Sequence, residues 1–250
     1  MINNTLFSNN NASFGGTIWN SAGSHNVTII NSIFDNNHAS TRGGAIYNTG
    51  WNITIEKNSF TNHDNFAVET YQPLNSLKNN SFTDNFGVLG IYFDDTNINL
   101  NIDVLNNTVN NNQYIFAIKG NRNNVSNGFI NRSNFNGILI NGVNNTLKNI
   151  TIGNLTDTGL IINSTVVGNN LTNITIANNS NGIIIQGSNN IFNSSTVMNN
   201  DGYGLNLTGN NNNINYNRIV ENSVGLYNSG NSNNINLNWW GVNNCNNPSY

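Results

Sequence analysis

Charge is what this sequence has least of. Asp, Glu, Lys and Arg make up 8% of its 250 residues, where about 25% is ordinary for a globular chain. Helix surfaces draw on Lys, Glu and Arg, so the shortage argues against a helical protein. A net charge of −3 and a pI near 5.4 leave no basic patch to neutralise phosphates, which argues against nucleic acid as a partner. The single cysteine, Cys245, excludes an internal disulfide and any cysteine metal cluster. With only two prolines, hydrogen-bonded ladders run uninterrupted. No apolar run reaches the roughly 18 residues of a membrane span, so no direct membrane insertion is expected of this segment. The opening Met1-Ile2-Asn3-Asn4 lacks a basic stretch followed by an apolar one. Any export signal is therefore expected outside this chain.

Asparagine replaces the missing charge: it makes up about 28% of the chain, and it is a poor helix former that tolerates left-handed turns. It is interleaved with periodic Ile, Leu, Val and Phe, so a core can form and disorder is disfavoured. Gly137-Ile138-Leu139-Ile140, Gly159-Leu160-Ile161-Ile162, Gly182-Ile183-Ile184-Ile185, Gly204-Leu205-Asn206-Leu207 and Gly225-Leu226 recur at a step of about 22 residues. Upstream, Gly16, Gly44, Phe66, Gly90 and Phe116 are expected at the equivalent positions, with looser spacing. Each repeat carries further short segments of period two, such as Ile174-Thr175-Ile176, and Asn-Asn pairs such as Asn144-Asn145 and Asn189-Asn190. Equal repeats of three short strands do not suit hairpins. They suit a coil that stacks on the next, each strand pairing in parallel about 4.8 Å from its equivalent. The expected fold is all-β, a right-handed single-stranded parallel β-helix of about ten coils of roughly 22 residues, spanning 1–250 as one domain. Ile138, Ile140, Leu160, Ile162, Ile183, Ile185, Leu205 and Leu207 are expected to face the lumen, and 235–250 to cap the C-terminal end.

Two motifs of the first half are more specific. Phe-x-x-Asn runs from Phe7 to Asn10, Phe34 to Asn37 and Phe82 to Asn85; Gly-Gly-x-Ile occupies 15–18 and 43–46. The pairing resembles the repeat of polymorphic outer membrane proteins. It is also similar to the Asn-rich adhesin-like surface proteins of methanogenic archaea, whose β-helix segments end in an Asn-Trp-Trp-Gly stretch, here Asn238-Trp239-Trp240-Gly241. The third coil departs, with His63 three residues after Phe60. Later coils keep only Gly-Ile-x-Ile, as in parallel β-helices of the pectate-lyase-like superfamily. The resemblance implies a fragment of a larger, secreted or cell-surface adhesin or stalk. It also implies surface glycans or cell-surface proteins as partners, a monomeric state, and no catalytic residues, cofactor or metal.

Some residues nevertheless have types that carry chemistry. Glu69, Asp94, Asp95 and Lys119 are placed just after one strand on successive coils, and carboxylates at that spacing suit acid/base work on a sugar. A carbohydrate-active β-helix (lyase, hydrolase or binding module) is therefore the alternative. No Gly-His-Gly or Arg-x-Lys pattern of polygalacturonases is present. His38 and His63 lie near Asp35 and Asp64, but without tight metal-ligand spacing. Trp239 and Trp240 would either stack on sugar rings or close the apolar end of the solenoid. More than a dozen Asn-x-Ser/Thr sequons occur, among them Asn11, Asn26, Asn52, Asn106, Asn131, Asn154, Asn173 and Asn206; many are expected to point inward or into ladders.

Overall fold

The repeat resolves into a five-residue step. In one coil Asn189, Ser194 and Asn199 have φ of 57°, 49° and 53°; in the next, Asn211, Tyr216 and Glu221 have 56°, 58° and 56°. Each of these residues turns the chain through a corner. The residue after it points inward, and a three-residue strand follows whose middle side chain is buried, as in Ile191–Asn193 and Thr196–Met198. L-residues avoid the left-handed region, and Asn tolerates it best after Gly. Accordingly, among the described residues sixteen of the 24 non-glycine residues with positive φ are Asn.

Two such steps make two faces of each coil, and a longer strand such as Tyr203–Leu207 makes the third. The structure is a computed structural model that describes residues 1–72, 74–92, 97–99, 108–110, 114–133 and 136–241. Among the described residues there is no helix, and every strand pairing is parallel to the equivalent strand one coil away. The chain is a parallel β-solenoid. On the long face Ile18, Ile46, Val68, Leu89, Phe116, Ile138, Leu160, Ile183, Leu205 and Leu226 stand in one row. Ile138, Ile140, Leu160, Ile162, Ile183, Ile185, Leu205 and Leu207 are all fully buried, in the phase their alternation implies. The solenoid has about eight turns rather than ten. The long face does have ten strands, but the two outermost, Ile18–Asn20 and Val224–Asn228, pair on one side only.

The corners carry the polar ladders. The inward residue after a corner is usually Asn, fully buried, and its amide belongs to the neighbouring coils. Asn169 donates from N (2.9 Å) and Nδ2 (3.1 Å) to Asn190 Oδ1. Asn190 repeats this toward Asn212 (2.8 and 3.2 Å), and Asn212 toward Asn233 (2.8 and 3.3 Å). The remaining Nδ2 hydrogen of Asn212 goes to the Gly187 carbonyl at 3.0 Å. A buried amide without partners costs about 1–3 kcal/mol, so the repetition of Asn at every coil is what makes its burial tolerable.

The leading glycines have a steric cause. A Cβ on Gly137, Gly159, Gly182 or Gly204 would lie 2.4, 2.8, 2.4 or 2.9 Å from the carbonyl oxygen of the next glycine in the row. Upstream the expected alignment is corrected. Phe66 aligns with Gly87 and Tyr114, and through it with Asn136, one residue before Gly137; Phe116 aligns with Ile138, and Gly90 with Leu139. Ala67, Val88 and Ile115 therefore hold the glycine's place. The shift reflects uneven coil lengths. Asn20 to Asn48 takes 28 residues and Tyr92 to Lys119 takes 27, against 22 from Asn141 to Asn163. In the first long coil the excess forms an additional strand, His38–Arg42, paired with Asn11–Phe14 of the coil before it.

Candidate functional site

Glu69 lies in the strand Phe66–Thr70 of the long face, in register with Tyr47 on one side and Gly90 on the other. Strand alternation turns it away from the row of Val68 and Thr70, yet its side chain has no solvent exposure. Gly90 is the reason it can reach past the next coil. A Cβ there would stand 3.2 Å from Glu69 Cγ and 3.3 Å from Oε1. With no side chain in that place, Oε1 accepts from Lys119 Nζ at 3.2 Å, two coils away, and from the Tyr92 hydroxyl at 3.2 Å. Oε2 accepts from the Gly43 N–H at 3.1 Å. Lys119 also donates to the Tyr92 oxygen.

An aromatic and cationic wall closes around this carboxylate. The Arg42 guanidinium lies 3.8 Å from the Tyr92 ring centroid and 5.2 Å from Tyr71. Lys119 Nζ lies 4.6 Å from both Phe66 and Tyr92. Tyr71 and Tyr92 stack at 5.2 Å, Tyr47 meets Tyr71 edge-on at 5.7 Å, and Phe14 and Trp19 extend the cluster toward the first coil. Phe14 and Arg42 sit at the ends of the two additional strands, so the long first coil supplies the cover. Burial pushes the Glu69 carboxyl up, opposed by Lys119; burial pushes the Lys119 ammonium down, opposed by Glu69. The Tyr92 hydroxyl is also raised, first by burial and then by the Glu69 charge. Each shift opposes charge, as expected where desolvation outweighs a single ion pair.

The structure thus brings Glu69 and Lys119 together as partners in one buried pair, not as two groups lining an open turn. Asp94 and Asp95 lie outside the described residues. Asp84 and Arg122 are corner residues, with φ of 56° and 53°. Sequence reasoning passed over Arg42, Tyr71 and Tyr92. A signal was present: Tyr71, Tyr92 and Lys119 each follow directly after a strand of the long face.

The histidines separate. His63 takes an asparagine's place in a corner ladder: Asn37 N lies 3.2 Å from its Nδ1, and its own N–H donates to Asn85 Oδ1 at 3.1 Å. Burial lowers its pKa to about 4, against raising contributions from the Asn37 backbone and from Asp35 and Asp64. His38 instead pairs with Asp64 at the surface. Among the described residues no group of three or more His, Cys, Asp or Glu side chains is placed to hold a metal ion.

At the other end, Asn238 continues a ladder, accepting from Asn217 N at 2.9 Å and Nδ2 at 3.1 Å. Trp239 then bridges to Arg218, which puts it on the second face and not in the Gly-Ile-x-Ile row of the long one. The residue is 47% exposed, with the Arg218 guanidinium 5.1 Å from its ring centroid. Trp240, like Leu226 and Ile235, packs against the core, and the two indoles border a cleft with Val220, Glu221 and Val224. Cys245 and the rest of 242–250 lie outside the described residues. No family model, curated protein or solved structure matches this chain.

Proposed function

We propose that the protein is a non-catalytic, cell-surface β-solenoid, adhesin-like or structural, that meets glycans or neighbouring surface proteins as a monomer. The observation that carries this reading is the state of Glu69. An acid or base must reach the proton it transfers. Glu69 offers no exposed oxygen, and three donors already occupy its carboxylate. It serves as a brace between coils. The ladders spend the chain's most abundant polar residue on holding coils together, which suits an extended scaffold.

One observation favours a glycan-contacting variant of the same reading. Trp19 is 61% exposed and Phe14 is 37% exposed, and their rings lie 6.0 Å apart on the outer surface of the first coil. Flat rings of this kind present a broad apolar face to a sugar. The test is to incubate the protein with a panel of polysaccharides, with and without calcium, measuring both retention and newly released chain ends. Retention without cleavage is expected, with retention reduced in Trp19→Ala. Cleavage that disappears in Glu69→Gln would replace this reading with the enzymatic one.

A further inference from the structure

The five-residue step has a consequence for the sequons. In the order corner, inward, outward, core, outward, the residue two after a corner Asn is outward and accepts Thr or Ser. Where another short strand follows, the residue two after a ladder Asn points into the core and is apolar. Buried Asn58, Asn145, Asn190 and Asn212 accordingly begin no sequon, since Phe60, Leu147, Phe192 and Ile214 follow at that distance. Many sequons were expected to point inward or into ladders. Several do join amide ladders, such as Asn52 to Asn26 and Asn163 to Asn141, but these run along the outside: among the described residues, no sequon asparagine belongs to the buried class.

Among the described residues, sequons with an exposed, left-handed corner Asn occur as three stacked pairs and two further sites. In the pairs the outer amides touch: Asn52 donates to Asn26 at 3.2 Å, Asn173 to Asn149 at 2.8 Å, and Asn178 to Asn154 at 3.3 Å. Asn79 and Asn144 are the two further sites, exposed at φ of 57° and 56°. These side chains face solvent on convex corners, and none is needed to satisfy the interior ladder.

We propose that these corner asparagines are acceptor sites for N-linked oligosaccharides. In the attachment, the Asn Nδ2–C1 bond forms as the bond from C1 to the phosphate oxygen of a lipid-pyrophosphate oligosaccharide donor breaks. The amide loses one proton and the lipid pyrophosphate departs; the donor and its transferase belong to the export route. The inference rests on the surface reading above. Geometry also sets the occupancy. Partners in a pair are one coil apart, about 4.8 Å, too close for two branched sugars, so each pair carries at most one glycan. On a surface with so few charged residues, the attached sugars would supply the hydration that charge usually gives.

The test is glycopeptide mass spectrometry on the protein recovered from the cells that make it, with inside and outside fractions kept apart. Glycans are expected at Asn79 and Asn144 and on one member only of the Asn26–Asn52 pair in any molecule. Thr146→Ala should remove one glycan mass, leaving the β-sheet circular dichroism unchanged. Extracellular protein with bare asparagines at all these sites would overturn this inference and leave the surface reading intact. Protein found only inside the cell would overturn both. Double occupancy of Asn26 and Asn52 would overturn the spacing argument.

Discussion

The two halves of the solenoid use one plan differently. From Asn136 to Asn228 the coils are even, their long-face rows are Ile and Leu, and their ladders are almost wholly Asn. The first half, up to Lys119, has uneven coils and a stacked column of Phe7, Phe34, Phe60 and Phe82, with centroids 5.1, 4.8 and 4.8 Å apart. It also holds the additional strands, the His63 rung and the Glu69–Lys119 pair. Stacking alone tolerates one kind of residue per position. Chemical variety enters where coil length varies, because only there does extra chain come back to cover an outward side chain. Irregularity is thus the marker of individual character in this fold, and the regular half serves as its support.

The largest effect should come from breaking the regular half. Ile183→Asp would bury a charge in a row packed by Leu160 and Leu205, with no partner available. A loss of about 4–5 kcal/mol is expected, enough to unfold neighbouring coils, because each coil of a solenoid depends on the next. Denaturant titration would measure it. Retained stability would show the inward phase to be wrong by one residue.

A middle-sized effect should separate the halves by pH. His63 has its folded pKa lowered to about 4 from an ordinary value near 6.5. The unfolded chain therefore binds a proton that the folded one refuses between those values. Stability attributable to this group is complete above about pH 6.5 and falls as pH drops toward 4, by about 2–3 kcal/mol in all. Hydrogen exchange at pH 4.5 should show the coils around residues 33–85 losing protection before those of residues 136–228. His63→Asn should abolish the difference by restoring the ordinary ladder residue. Equal acid sensitivity in both halves would remove His63 as its cause.

The smallest effect probes the ladders themselves. Asn190→Ala leaves the Asn169 N–H and Nδ2 without their acceptor, and leaves Asn212 Oδ1 with the backbone N–H of residue 190 but not its side-chain donor. A cost of about 1–3 kcal/mol is expected by thermal denaturation. The exposed corner residue Asn189→Ala should cost less, about 1 kcal/mol, through left-handed strain alone. A reversal of that order would mean that the corners, and not the ladders, hold the coils.

Much of this was legible in the sequence, for a physical reason. Gly-Ile-x-Ile shows the strand period directly, and repetition at 22 residues leaves stacking as the way to bury it. Phe-x-x-Asn joins a core side chain to the ladder residue beyond the following corner, as Phe34 to Asn37 does. The division of Asn-Asn pairs into a corner member and a ladder member was not apparent, because backbone angle distinguishes them and residue type does not. The upstream glycine alignment slipped for a related reason: where Ala67, Val88 and Ile115 replace glycine, only the hydrogen-bond register identifies the position.

By itself, the sequence determined the architecture: periodic apolar residues need a lumen, and buried amides need identical neighbours above and below. Only the tertiary structure decided the fate of the charged residues. Glu69 and Lys119 are 50 positions apart and two coils distant, and they meet because Gly90 between them has no side chain and the long first coil folds over them. That meeting depends on how far extra chain reaches across the outside of the sheet. Repeat periodicity governs what points inward, and it carries no information about what returns to cover the outer face.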